Sequence, residues 1–242
     1  MLVGSMNAED ISKVRVMDDS RLTAFQQMKA RELLRELKKQ KISSICTCFD
    51  FKTPNAEYKM TFFIKSGDVY YSGIFGYMRE SNVYVPMSIV GDDGYYMALS
   101  PHFLNRYAER YLKKKLSLGK SLANFFHDFV GAAVLYADKT KRVVYAIYGG
   151  IMLGKYDSEK KVIYMKTFVS LDMLKGSQIR SYGKIKRFID YSRERIDGIK
   201  KSNDCVKINA AFDNVFEGMA KLDMDEAREI YSTFFEKGGS DD

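Results

Sequence analysis

His102, Arg106 and Arg110 are spaced by four within "SPHFLNRYAERYLKKK", residues 100–115. On a helix this spacing sets all three on one slowly drifting face. Ser100 at a capping position and Pro101 at the first helical position make a start signal. His102 then falls in the first turn. There the positive end of the helix dipole disfavours an imidazolium, and unpaired backbone N–H groups attract anions. Two guanidiniums, one and two turns along, could grip a phosphate and stabilise charge on its oxygens. A neutral base, an anion clamp and an acid are what cleavage of RNA by its own 2′-hydroxyl requires, with no metal involved. The acid is open between Lys166, Tyr164 and Tyr148. The plain structural alternative is that His102 bonds locally while the arginines meet Glu109 or water.

Positive charge gathers in two segments. Residues 102–120 hold Arg106, Arg110, Lys113, Lys114, Lys115 and Lys120 against Glu109 alone, a net +5. Residues 175–201 hold nine Lys/Arg, among them Lys184, Lys186 and Arg187, against Asp190, Glu194 and Asp197, a net +6. Side by side, two such helices would form a groove for a phosphate backbone; apart, each is an ordinary solvated face. Tyr107, Tyr111, Tyr182 and Tyr191 interleave with these cations and could stack on unpaired bases. The four-residue recurrence of Phe103, Tyr107 and Tyr111 equally describes a buried stripe. The whole chain carries +8, which favours anionic partners: RNA, or an acidic protein.

Other chemistry fails on spacing. "LGKS" at 118–121 lacks a phosphate-loop glycine, because Lys114 stands at that position. His127 and Asp128 are adjacent, so on a helix their side chains diverge. Cys46, Cys48 and Cys205 are too few and too scattered for a disulfide framework or a zinc site. The first two read as buried small hydrophobes on one face of a strand. No cofactor motif is present. No apolar run approaches the length of a membrane span, and "MLVGSMNAED" has no signal-peptide core. The expectation is therefore a cytoplasmic protein that needs no membrane.

The elements that must position these residues follow from pattern. The chain has 242 residues, 46% of them hydrophobic, which suffices for a sizeable core. Residues 1–19 read as a flexible polar N-terminus. A helix follows from a Ser20 cap, with Leu22, Phe25, Met28, Leu33 and Leu37 near one stripe. Short β-branched and aromatic runs over about 43–99 predict an antiparallel meander. Two helices follow over 100–137, then three strands over about 141–169. Residues 171–238 read as a helical extension on a domain of residues 20–170, and its apolar helices at 206–236 also suit an oligomer contact. The predicted class is α+β.

The order "HFLNRYAER", a second helix, then strands ending in "YMKTFVS" resembles the barnase–EndoU–colicin–RelE group of small ribonucleases. The resemblance covers about residues 100–170. It implies metal-independent RNA cleavage with His102, Arg106, Arg110 and Thr167 in the site. The overall run also resembles proteins of bacterial mobile elements. The alternative is a non-catalytic protein that binds nucleic acid or an acidic partner through its basic helices.

Overall fold

The computed structural model describes residues 6–65, 68–77, 82–87, 95–129, 133–137, 142–180, 182, 183, 186, 189 and 190. Helix α1 spans Ala8–Gln40. Strands β1 (Ser44–Lys52), β2 (Glu57–Lys65), β3 (Asp68–Tyr77), β4 (Val83–Met87) and β5 (Tyr95–Leu99) follow. Then come α2 (Pro101–Arg110), α3 (Leu118–Phe129) and strands β6 (Ala133–Ala137), β7 (Arg142–Ile147), β8 (Gly150–Asp157) and β9 (Val162–Ser170). The class is α+β.

Helix α1 begins twelve residues before the Ser20 start, so residues 8–19 are helical rather than flexible. Asn7 caps it: its side chain accepts from the Asp10 backbone N–H at 2.9 Å, and the Asp10 carboxylate accepts from the Asn7 N–H at 3.3 Å. Glu9 and Asp10 lie in the first turn and Lys38 and Lys39 in the last, both favourable to the helix dipole. The helix ends where Lys41 turns left-handed, at φ 54°. Its inward stripe is Ala8, Ile11, Leu22, Leu33 and Leu37. Met28, placed on that stripe by sequence, is 45% exposed, about half a turn from the buried side.

The chain divides into two compact units, Met1–His127 with Tyr156–Lys166, and Asp128–Lys155 with Thr167–Asp242. The far end of the β8–β9 hairpin belongs to the first unit, where β9 runs parallel to β5 with Tyr96 opposite Val162 and Leu99 opposite Met165.

In the first unit the strand order is β1-β2-β3-β4-β5-β9, antiparallel except for that last pair. One sheet face lies under α1. There Leu33 and Leu37 pack on Met60, Phe62 and Ile64, while Ile11 and Leu22 join Tyr58, Tyr84, Tyr96 and Val162. Phe25 stacks on Phe51 at 4.3 Å between centroids. The alternate residues Val83, Val85, Met97, Leu99, Ile163 and Met165 are buried too, so the opposite face is also covered. Gly119, in the first turn of α3, lies against Cys48 on that opposite face; a Cβ at Gly119 would sit 3.4 Å from the Cys48 Cβ. Helix α2 packs on α3 edge to face, with Phe103 and Tyr107 at 5.6 and 5.5 Å from Phe125. The stripe of Phe103 and Tyr107 is thus core, both residues being fully buried.

A buried carboxylate ties α1 to the β1–β2 turn. Asp18 is 0% exposed and accepts from the Thr53 hydroxyl at 2.6 Å, the Tyr58 hydroxyl at 2.9 Å and the Asn55 amide at 2.9 Å. Arg21 lies 3.8 Å away. Burial opposes its charge, yet the bonds from Thr53, Tyr58 and Asn55 prevail and hold the carboxyl below its ordinary pKa. The Tyr58 phenol is pushed up by burial and by donating to Asp18.

In the second unit β6, β7 and β8 are antiparallel neighbours, followed by the later half of β9. Strand β6 corrects the sequence reading, which ran a helix through residue 137. An apolar run such as "AVLYA" has no period that separates a buried strand from a buried helix. At Gly150, φ is 156° and a Cβ would stand 2.2 Å from the Val169 carbonyl oxygen, so only glycine fits this turn into β8. The predicted helices beyond residue 190, with Cys205, Tyr191 and the 206–236 oligomer contact, lie outside the described residues.

Candidate nucleic-acid interface

Helix α2 forms where the sequence places it. Ser100 caps it, accepting from the Phe103 N–H at 3.1 Å, and Pro101 opens it. It stops at Arg110, five residues short of the predicted end. The Lys114 N–H returns to the Ala108 carbonyl at 3.1 Å, and Lys113 takes a left-handed backbone at φ 53°. Lys113, Lys114 and Lys115 therefore sit on an exposed irregular connection between α2 and α3, not on a helix. Lys120 is exposed in the first turn of α3.

The four-residue spacing makes a direct bond. The Nε–H of Arg106 donates to Nε2 of His102 at 2.7 Å. His102 is exposed and Arg106 half-buried. Because Nε2 accepts, the ring proton belongs on Nδ1, and the basic lone pair is held by a guanidinium rather than open to a hydroxyl. Arg110, one turn on, is half-buried. Desolvation and then the charge of Arg106 lower its pKa, against the opposing pull of Glu109. Two guanidiniums crowd one helix face, which a bound anion would relieve.

Of the remaining predicted residues, Lys166 shares the first unit with His102. Lys166 is exposed and continues the Val162–Tyr164 row of β9, whose members pack with the α1-side cluster. Helix α2 belongs with α3 on the other face. Thr167, half-buried, and Tyr148, exposed, belong to the second unit. In that unit Lys186 forms an ion pair with Asp190 and stands 5.8 Å over the Tyr148 ring; the Asp190 bond raises its pKa. Tyr182, read as a stacking surface, is buried and donates to the carbonyls of Ile147 at 3.0 Å and Tyr148 at 2.8 Å. The side chains of Lys184, Arg187 and His127 lie outside the described residues.

Cys46 and Cys48 share a face of β1, as expected, but neither is fully buried and only Cys48 is half-covered. Cys46 is exposed, while burial pushes the Cys48 thiol up to about 12. No helix among the described residues is long and apolar enough to cross a membrane. Among the described residues no three His, Cys, Asp or Glu side chains gather as a metal site would require. No family model, curated protein or solved structure matches this chain.

Proposed function

We propose that this chain binds RNA through the basic surface of α2 and the connection to α3, with Arg106 and Arg110 as phosphate clamps and Lys113, Lys114, Lys115 and Lys120 as outlying cations. One observation carries the reading: the Arg106–His102 bond, 2.7 Å long, beside a half-buried Arg110. It holds the Arg106 fork in place, so less side-chain freedom is lost when phosphate binds. His102 is then a positioning residue, and the exposed lysines supply the non-specific attraction.

A second reading is metal-independent cleavage, in line with the resemblance to small ribonucleases. It is favoured by the exposure of His102 on the first turn of a capped helix, within reach of a guanidinium. Cleavage would require Arg106 to leave Nε2 on substrate binding, and an acid from somewhere other than Lys166.

One experiment separates the two. Labelled single-stranded RNA is incubated with the protein in EDTA, and binding and product are both measured. Retention without product supports the binding reading. Replacing Lys113, Lys114 and Lys115 by Gln should then lower the slope of log affinity against log salt by about 2, at about 0.7 per lost phosphate contact. Arg106→Gln should loosen binding about tenfold. Product that disappears in His102→Ala would favour cleavage instead. Absence of both retention and product would overturn both readings.

A further inference from the structure

The solvent face of α1 carries a second set of cations that the α2 surface does not use. Arg31, Arg35, Lys38 and Lys39 recur at i, i+4, i+7 and i+8, and all four are exposed. They share one outward line, opposite Leu33 and Leu37. The carboxylates of the same stretch are already engaged: Glu32 pairs with Lys29 at 2.6 Å, and Glu36 accepts from the Gln40 amide at 2.8 Å. Among the described residues none of the four cations has an ion-pair or hydrogen-bond partner. The helix dipole accounts for Lys38 and Lys39 in the last turn, but not for Arg31 and Arg35, which lie beyond its reach.

We infer that this stripe is a second phosphate-contacting surface, and that one copy of the chain holds two segments of RNA, one on each side of the first unit's sheet. The inference rests on the RNA reading of α2 above. Its geometry is that of a backbone track. Eight residues of helix rise about 12 Å, so the four cations lie along a line rather than at one point. Placement selects the partner. Helix α1 covers the face of Tyr58, Met60 and Phe62, whereas α3, with α2 packed on it, begins over Cys48 on the other face. A lipid surface is a plane and can reach only one of these layers. A flexible polyanion can reach both.

The test uses the full chain and two copies of one single-stranded RNA, the first fixed to beads and the second fluorescent. The wild type should carry the second RNA onto the beads. The quadruple variant R31Q/R35Q/K38Q/K39Q, checked for unchanged circular dichroism, should still bind one RNA at α2 but lose bridging at least tenfold. The variant R106Q/R110Q should also lose bridging. Bridging by the quadruple variant at the wild-type level overturns the inference and leaves the RNA reading of α2 standing, since self-association through α2 alone would explain it. A wild type that binds no RNA overturns both. A wild type that binds RNA without bridging, but binds phosphatidylserine vesicles that the quadruple variant does not, assigns the stripe to lipid and overturns the inference.

Discussion

At the scale of single residues, one hydrogen bond ties His102 to Arg106 on α2. The His102–Arg106 contact follows from an i,i+4 interval on a capped helix, so its geometry is legible in "SPHFLNR". Its chemical sense is not, because spacing cannot say that the arginine occupies the nitrogen a base would need. The two cysteines teach the same lesson. Their shared face follows from strand periodicity, but Gly119 arrives over Cys48 from about seventy residues away and leaves Cys46 open. A thiol-selective alkylating reagent near pH 8 should therefore label Cys46 at least tenfold faster than Cys48, as read by peptide mass spectrometry. Equal rates would mean that α3 does not cover β1 as described.

At the scale of elements, Asp18 shows how a polar residue can decide a packing. It sits mid-helix on a stripe that otherwise holds Ile11, Leu22 and Leu33, and its partners come from a turn more than thirty residues away. Nothing local marks it, so the first half of α1 reads as polar and loose. The Asn7–Asp10 capping box was the one local sign that a helix begins there. Asp18→Ala should cost about 3 kcal/mol in denaturant unfolding, because it strands the Thr53 and Tyr58 hydroxyls in a buried site. Protonation should act in the same direction. A carboxyl whose folded pKa is depressed contributes stability above its unfolded pKa, about 3.9, and loses it as pH falls toward the folded value. Unfolding measured from pH 6 down to pH 2 should show that loss in the wild type and a flatter profile in Asp18→Asn. Strand β6 and the parallel β5–β9 pair escaped for other reasons: an apolar run carries no period, and pairing direction across sixty residues leaves no mark in either strand.

At the scale of the whole molecule, the α+β class followed from alternating patterns and turn residues, and it stands. The two-unit division did not follow, because it depends on a hairpin whose far end joins the first unit. Composition did indicate an excess of positive charge, but not its arrangement into separate surfaces on α1 and α2. One further property of the molecule comes from the border of its sheet. Among the described residues β1 pairs only with β2, along its full length, and no described strand takes up its other edge. Charge guards one end of that edge, through the Lys52–Glu57 pair at 2.6 Å and the Asp50–Lys59 pair. The stretch from Ser44 to Phe49 has no charge at all. Such a segment is a template for adding strands from another molecule, and proteins usually interrupt it with lysine. Placing that guard by Thr47→Lys should slow light-scattering growth at high concentration several-fold, and an unchanged rate would locate self-association elsewhere. Shelf life and yield of this protein would then hinge on six residues of one border strand.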